Sequence, residues 1–417
     1  MPGRLSAHYR RKRRPRRRPR GALRQACTGT AVHRRRLLGH GRRDDRHPAA
    51  RRPVLVRRDR VLGAGTARRI ERGDREPRLL RHRHADGTGA YARRAGGEVK
   101  ILVTGAAGFI ASNLIPRLLQ RSDHVIGVDN FFLGKRAYVH KHPNFEFHEF
   151  DLLDLEALTA LVTQAKPDRV WHLAANSDIS YGTKYTDFDL KGGTLVTYNV
   201  LEAMRHAGIS EIVFSSSGAV YGEPAIMPTP ENYGPIFPIS LYAASKAACE
   251  ALITAFAHNY DIRCWIYRFG NIVGPNPTHG VIHDFVLRLR EERTKLVVLG
   301  DGSQAKPYVY VEDCLDGMEF GIANARERVN CFNLAVEDQT TVREITDWTI
   351  EAMGIDRASI DVQYGDSPRG WRGDVPYVKL DTRRMTALGW TPRLSSAESV
   401  RRTIRDTVEQ FRNGPLS

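Results

Sequence analysis

A chain of 417 residues with 41% hydrophobic content can bury a sizeable core, and its length leaves room for two or three domains. A net charge of +17 would ordinarily point to nucleic acid or an anionic surface. The charge is split, though. Residues 1–97 hold 30 arginines, one lysine and seven acids (+24), whereas residues 98–417 hold 33 bases and 40 acids (−7). The five cysteines, Cys27, Cys249, Cys264, Cys314 and Cys331, are odd in number and never spaced as CxxC. That pattern fits reduced thiols in a cytoplasmic protein and predicts neither a disulfide framework nor a metal site. No run of about 18 apolar residues predicts a membrane span, and the N-terminus has no apolar signal core.

Residues 10–20 read RRKRRPRRRPR, arginine clusters recur up to residue 75, and Tyr9 and Tyr91 are the only aromatic rings of Phe, Tyr or Trp type before residue 98. Without a helical or strand period that buries a face, this segment is expected to be disordered. Val61–Ala67 (VLGAGTA) offers a glycine turn but has no third glycine, and Arg68-Arg69 follow where an apolar helix face should begin, so it is rejected as a cofactor loop. A nucleic-acid tail and a targeting segment are two readings of this stretch. The third, which we adopt as the expectation, is a start assigned too far upstream in GC-rich sequence, with translation beginning near Val99. A native N-terminus upstream of Val99, read by N-terminal sequencing, would overturn it.

From Val99 the pattern changes. Val99–Thr104 (VKILVT) is suited to a buried parallel strand, Gly105-Ala106-Ala107-Gly108 is a glycine turn, and Ser112–Gln120 is an amphipathic stretch suited to a helix. Strand, glycine turn and helix N-terminus together form a phosphate cradle, placing Gly105, Gly108, Phe109 and Ile110 against a pyrophosphate. The next strand, His124–Asp129, ends in Asp129, 21 residues after Gly108. A carboxylate there accepts both ribose hydroxyls of NAD and repels the extra phosphate of NADP; Asn130 in place of an arginine agrees. Phe145–Phe150 reads as a third strand, leading to Asp151 and Leu152 beside the adenine. Arg169–Leu173 reads as a fourth, whose exit Leu173-Ala174-Ala175 passes under the cofactor. The alternation of strands and helices predicts an α/β, doubly wound parallel sheet of Rossmann type.

Glu211–Ser215 is a further buried strand that delivers Ser215-Ser216-Ser217 to a C-terminal sheet edge, where such folds bind ligands. Twenty-five residues after Ser217 comes Tyr242-Ala-Ala-Ser-Lys246, opening a helix expected to run to about Asn259. A spacing of four puts phenol and ammonium on one helix face. The ammonium is expected to lower the phenol's pKa and make Tyr242 a base near neutral pH.

In this order the motifs TGAAGFIA (104–111), VDN (128–130), HLAA (172–175), SSSGAVYG (215–222), YAASK (242–246), RFGNIVGP (268–275) and GDGSQAKPYVYVED (300–313) resemble the extended short-chain dehydrogenase/reductase family, close to its NAD-dependent sugar-nucleotide epimerases and dehydratases. The resemblance covers 99–412. It implies that Ser217 hydrogen-bonds the sugar hydroxyl being oxidised, that Tyr242 accepts its proton, and that Lys246 also holds the nicotinamide ribose. It further implies that Asn271 and Lys306 lie along a nucleotide diphosphate. Arg372, before Gly373-Asp374, is our choice for the family's diphosphate clamp, with Arg369 competing.

Some positions depart from the family. Lys306-Pro307 stand where the family usually has Arg-Asp, replacing a bidentate phosphate donor with a point charge. The usual Asn-containing stretch reads DLKGGT (189–194), to which no role is assigned. Gly218-Ala219 occupy the positions of the Asp-Glu pair that a dehydratase uses, and neither can move a proton. A 4-epimerase acting on a nucleoside-diphosphate hexose or hexuronate is therefore the expected activity. A dehydratase, reductase or decarboxylase of the same family is the alternative, and an Arg-rich nucleic-acid-binding protein is the alternative of another class. We expect a cofactor- and catalysis-bearing domain over 98–280 and a substrate-binding domain mainly over 281–417, partly interleaved with the first. The partners expected are the sugar nucleotide and a second copy of the chain, with no membrane or nucleic acid. Trp171, Trp265, Trp348 and Trp390 are expected to pack in the core and Trp371 to line a pocket. His279 and His283 are expected to be solvated or packed rather than functional.

Overall fold

The computed structural model describes residues 99–413 apart from Asp178. The segment 1–97, with Val61–Ala67 and Cys27, lies outside the described residues. The chain opens with β1 (Lys100–Thr104), α1 (Phe109–Gln120), β2 (His124–Asp129), β3 (Phe145–Glu149), α2 (Leu155–Ala165) and β4 (Arg169–His172). A short α3 (Ile179–Lys184) and a π-helical turn (Leu190–Leu195) lead into α4 (Val196–Ala207), β5 (Glu211–Ser217), α5 (Leu241–Asn259) and β6 (Arg263–Phe269). There follow β7 (Asn271–Val273), α6 (Val281–Glu291), β8 (Lys295–Val298), β9 (Ala305–Lys306), β10 (Tyr308–Tyr310), α7 (Val311–Asn324) and β11 (Val329–Leu334). The last elements are β12 (Thr340–Thr341), α8 (Val342–Ala352), β13 (Asp361–Tyr364), α9 (Arg383–Leu388) and α10 (Ser396–Asn413).

Seven strands form one sheet in the order β11-β6-β5-β4-β1-β2-β3, every neighbouring pair parallel. A parallel sheet needs helices over both faces, and the strand sequences supply two apolar sides. In β1, Ile101 and Val103 face a layer containing Leu114, Ile115 and Leu118 of α1 and Leu315 and Met318 of α7. Leu102, one residue out of phase, faces the opposite layer with Leu158 of α2, Leu201 and Met204 of α4, and Ile253 of α5. A separate core unites Phe285 and Leu289 of α6, Ile345 and Ile350 of α8, and Ile404 and Val408 of α10 over β8. The later part of the chain thus builds a second, smaller core, yet it also returns β11 to the edge of the main sheet.

The strand order reverses at β1, with β2 on one side and β4 on the other, so their helices leave to opposite faces and a crevice opens at the C-terminal strand ends. The elements differ at their edges from expectation. The helix α1 begins at Phe109, three residues before Ser112, so Phe109 and Ile110 form its first turn. It also contains Pro116, which cannot donate to the Ser112 carbonyl; the His140 imidazole takes that carbonyl at 3.1 Å instead. The third and fourth strands end one residue early, and β5 runs on to Ser217. Trp171, Trp265 and Trp390 are buried, Trp348 packs against the smaller core, and Trp371 is 36% exposed.

Candidate active site

The cradle is made from backbone. Gly105 turns the chain at φ +70°, and a Cβ there would lie 2.9 Å from the Ala174 backbone. Only glycine allows the turn and the β4 exit to come this close. Ala174 N–H donates to the Thr104 hydroxyl, so Leu173-Ala174-Ala175 and the glycine turn form one surface. Gly108 precedes α1 without a side-chain cap, which leaves the helix N-terminus suited to an anion. Asp129 accepts from the N–H groups of Ala107 (3.0 Å) and Phe131 (2.7 Å) at the end of β2. Burial raises its carboxyl pKa, and these backbone donors oppose the rise. Beside it, Asn130 donates to Asp151 and accepts from Phe132 N–H, while Leu152 is buried. The residues read as a dinucleotide site from the sequence are thus contiguous along β1, β2 and the β4 exit. A close-approach turn, an open helix N-terminus and a carboxylate at the second strand end fit NAD.

The three candidate catalytic side chains meet at the ends of β5 and α5. Ser217 ends β5; its hydroxyl accepts from Ala219 N–H at 3.2 Å and lies beside the Tyr242 phenol, whose pKa it lowers. Ser240 caps α5 through the Ala243 N–H, which places Tyr242 in the first turn and Lys246 one turn on. Lys246, 4% exposed, donates to the Ser215 carbonyl at 2.5 Å and lies 4.6 Å from the Phe214 ring. Its Nζ is 6.0 Å from the centre of the Tyr242 ring.

The pKa of Tyr242 moves opposite to expectation. Burial pushes the phenol up to about 12, the Ser217 hydrogen bond pulls it down, and the Asp189 carboxylate raises it further. Lys246 contributes no resolved lowering here; its ammonium is itself held down to about 8 by burial. A phenol–lysine spacing of four sets a common face but says nothing of how deeply that face is desolvated.

A polar network anchors these elements. His172, fully buried at the end of β4, bridges the Thr104 hydroxyl (2.7 Å) and the Thr197 hydroxyl (3.0 Å), and Thr197 in turn donates to the Cys249 thiol. Burial first, and the Lys246 charge second, depress the imidazole to about 3, so it is neutral at working pH. Also on α5, Glu250 accepts from the Ser216 hydroxyl at 2.5 Å and from Arg268 at 2.6 Å, and Arg268 also donates to the Tyr221 hydroxyl. None of these partners was assigned from the sequence. The available signal was Glu250, which lies four residues after Lys246 and so on the same helix face.

Of the residues expected on the substrate side, Asn271 opens β7, and its N–H donates to the Pro307 carbonyl. Lys306, one residue earlier in β9, donates to the buried Asp374 carboxylate at 2.6 Å and sits 5.3 Å from the Trp371 ring. The two candidates Asn271 and Lys306 are therefore neighbours, and Lys306 adjoins the segment carrying Arg372. Of the two competing arginines, Arg369 is engaged by the Asp374 carbonyl and by Glu223. Arg372 is exposed and has no ion pair among the described residues. His279 reaches the Ser177 carbonyl at 3.0 Å, and His283 meets Asp284 and the Phe411 ring.

The sequence profile of the NAD dependent epimerase/dehydratase family matches residues 101–335. The chain is 35% identical over 326 residues to a UDP-glucose 4-epimerase of Mycolicibacterium smegmatis, covering 76% of this chain and 99% of that one. The chain belongs to this family. Its fold superposes on the crystal structure of a Thermotoga maritima UDP-glucose 4-epimerase with UDP-glucose (TM-score 0.68, 30% identity, 75% of this chain and 100% of that chain). It superposes equally on a Streptomyces venezuelae dTDP-glucose 4,6-dehydratase double mutant with NAD and DAU bound (TM-score 0.69, 27% identity, 76% and 99%).

Membership makes the protein an enzyme with NAD as its cofactor and the expected doubly wound fold, and it leaves the reaction within the family to the details of the site. Among the described residues no helix is long and apolar enough to cross a membrane. One detail bears directly on the reaction. Gly218 follows Ser217 in a 3-10 turn packed on Leu380, where a Cβ would come within 3.0 Å of the leucine. Ala219 completes that turn by donating to Ser217. Neither Gly218 nor Ala219 carries an ionisable side chain.

Proposed function

We propose that the enzyme is a sugar-nucleotide 4-epimerase acting on a nucleoside-diphosphate hexose or hexuronate, with Ser217, Tyr242 and Lys246 as its catalytic residues. The observation that carries this reading is the Tyr242 phenol set beside the Ser217 hydroxyl, with the non-ionisable Gly218-Ala219 following. It provides one proton-transfer site and no second acid–base pair. Oxidation of a secondary alcohol needs a base at the hydroxyl, and its reversal needs the same group as acid. Tyr242 takes the proton from the C4 hydroxyl while Ser217 hydrogen-bonds the same oxygen, and Tyr242 returns the proton after the 4-keto sugar has turned over. NAD, held there, would supply the hydride acceptor and donor for C4 and a positive charge that favours the phenolate. Lys246 keeps positive charge beneath the phenol.

Gly105, Gly108, Phe109 and Ile110 would hold the cofactor pyrophosphate, Asp129 and Asn130 its adenosine ribose, Asp151 and Leu152 the adenine edge, and Leu173-Ala174-Ala175 the nicotinamide side. Asn271, Lys306 and Arg372 would hold the substrate diphosphate, with Arg372 supplying the charge that Asp374 withdraws from Lys306. Because relatives act on UDP-sugars, UDP-galactose, UDP-glucuronate and dTDP-glucose are the first substrates to try with the full chain. Conversion of UDP-galactose to UDP-glucose without accumulating NADH supports the proposal. Net NADH, release of carbon dioxide or a 4-keto-6-deoxy product would replace it with the dehydrogenase, decarboxylase or dehydratase reading.

We also propose a homodimer formed through α4 and α5, where Tyr198 of α4, Leu195 just before α4 and Tyr260 just after α5 are exposed. Light scattering that returned a monomer would overturn it. A cytoplasmic location is proposed on the four described cysteines, all unpaired.

A further inference from the structure

We propose that Glu250 is a positioning residue for proton transfer. Through the Ser216 hydroxyl on one side and Arg268 on the other, it fixes both chain segments that flank Ser217 to the helix carrying Tyr242. The proposal rests on the reading of Ser217 and Tyr242 as the residues that meet the sugar hydroxyl.

The helix α5 packs on one face of β5. Ile212 and Phe214, alternate residues of that strand, join one apolar layer with Cys249 and Ile253 of the helix. The same alternation brings Ser216 to this face at the strand end, where the helix opposes it with Glu250 instead of an apolar side chain. Ser216 is 2% exposed, and its hydroxyl donates to the Glu250 carboxylate at 2.5 Å. One turn earlier on α5, the Lys246 ammonium donates to the Ser215 carbonyl at 2.5 Å. Consecutive residues of β5 are thus tied to consecutive turns of α5 immediately before Ser217. Apolar contact is non-directional and lets a strand end shift along a helix, whereas a charge-assisted hydrogen bond fixes distance and angle.

The far side of Ser217 is held by the partner of the same carboxylate. Arg268 lies opposite Ser216 in the β5–β6 register and donates to both Glu250 oxygens, at 3.0 and 2.6 Å. Another of its nitrogens donates to the Tyr221 hydroxyl and to the Glu231 carbonyl, each at 2.9 Å. Tyr221 ends the 3-10 turn that begins at Gly218, and its hydroxyl donates to the Asn333 side-chain carbonyl at 2.7 Å. Ser217 is therefore bracketed, with Ser216 bound to Glu250 before it and Tyr221 bound to Arg268 after it. All four bracketing side chains belong to buried residues. Burying a glutamate and an arginine carries a desolvation cost that well-packed apolar residues avoid. What the pair supplies in return is direction: it sets where the Ser217 hydroxyl stands against the Tyr242 phenol.

Ser216→Ala tests this, because it removes one hydroxyl and leaves Ser217 and the Glu250–Arg268 pair in the chain. Ser216→Thr returns the hydroxyl on a side chain that strands accept. Tyrosine labelled with carbon-13 at Cζ, in the full chain, gives a Tyr242 resonance that is assigned by its loss in Tyr242→Phe and needs no substrate. That resonance should move in Ser216→Ala and return in Ser216→Thr. With UDP-galactose as probe, kcat should fall about 10- to 100-fold in Ser216→Ala while KM changes little. Ser216→Thr should recover most of that loss, which a defect of packing would not allow. A folded Ser216→Ala protein whose Tyr242 resonance stays in place overturns the proposal. So does one whose unfolding midpoint falls while kcat is unchanged, since Glu250 would then serve stability alone. Should Ser216→Ala not fold, Ser216→Cys, a weaker donor of similar size, carries the same measurements. A parent enzyme that leaves UDP-galactose unconverted counts against the 4-epimerase reading, and the Tyr242 resonance then decides this one.

Discussion

The cofactor side of the crevice and the side proposed for substrate are made of different materials. Around β1 and β2 the site is backbone: a turn that only glycine can make, an open helix N-terminus, and a carboxylate ordered by two N–H groups. Across from it, the site is long side chains held by partners far away in sequence. Lys306 meets Asp374 over 68 residues, and Arg369 meets Glu223 over 146. Backbone recognition tolerates little change in position and confers shape, whereas side-chain charge can be redistributed by one substitution. Substrate choice within the family can therefore drift while the cofactor stays the same.

Three changes probe the shared floor between these two sides, and their effects should fall in a definite order. Tyr242→Phe removes the proton acceptor but keeps the ring, so kcat should fall about 10²–10⁴-fold with bound NAD retained. Measuring turnover together with cofactor content checks it, and a variant with near-normal kcat would remove Tyr242 from the mechanism. Next is Glu250→Ala, which strands Arg268 in a buried site and leaves Ser216 without its acceptor. A loss of about 3–5 kcal/mol in denaturant unfolding is expected, much more than Arg136→Ala would cost at the exposed Arg136–Glu149 pair.

Lys246→Met should act in the opposite direction on stability. Burial holds the folded-state pKa near 8, below the lysine's ordinary value of 10.5. Between those two pH values the unfolded chain binds the extra proton, so the cost of burying the charge is present in full below about pH 8 and fades as pH rises towards 10.5. Lys246→Met should therefore unfold at a higher temperature than the parent at pH 7, with the gap closing by pH 10, while losing activity. A gap independent of pH would show that packing, not charge, separates the two proteins.

How far the sequence revealed the molecule follows the same division. The strand–glycine–helix order, Asp129 at a strand end and the Tyr242/Lys246 spacing depend on neighbours within a few residues, and the structure brings all of them to one crevice. What the sequence concealed needs a third dimension. The Pro116 N–H deficit is made good by His140, 24 residues on from it. The π-helical turn after Asp189 has no local signature, and the raised pKa of Tyr242 comes from desolvation by the whole fold. Arg369 and Arg372 both stand close to Gly373-Asp374 in the sequence, and the contacts of Arg369 with the Asp374 carbonyl and Glu223 have no local signature either.

That last pair offers the smallest and most discriminating test of the substrate side. Arg372 is exposed and unpaired among the described residues, so replacing it by alanine costs the fold little and removes one charge from the diphosphate. Arg369 braces the Asp374 segment from behind, through the Asp374 carbonyl and Glu223. Arg372→Ala should raise KM for the sugar nucleotide about tenfold with kcat and unfolding midpoint unchanged, a difference of about 1.4 kcal/mol in uniform binding. Arg369→Ala should instead lower the unfolding midpoint and disturb KM only through Lys306, whose partner Asp374 it steadies. Steady-state kinetics and thermal unfolding on the two variants separate the roles, and an unchanged KM in Arg372→Ala would transfer the diphosphate to Lys306 and Asn271 alone.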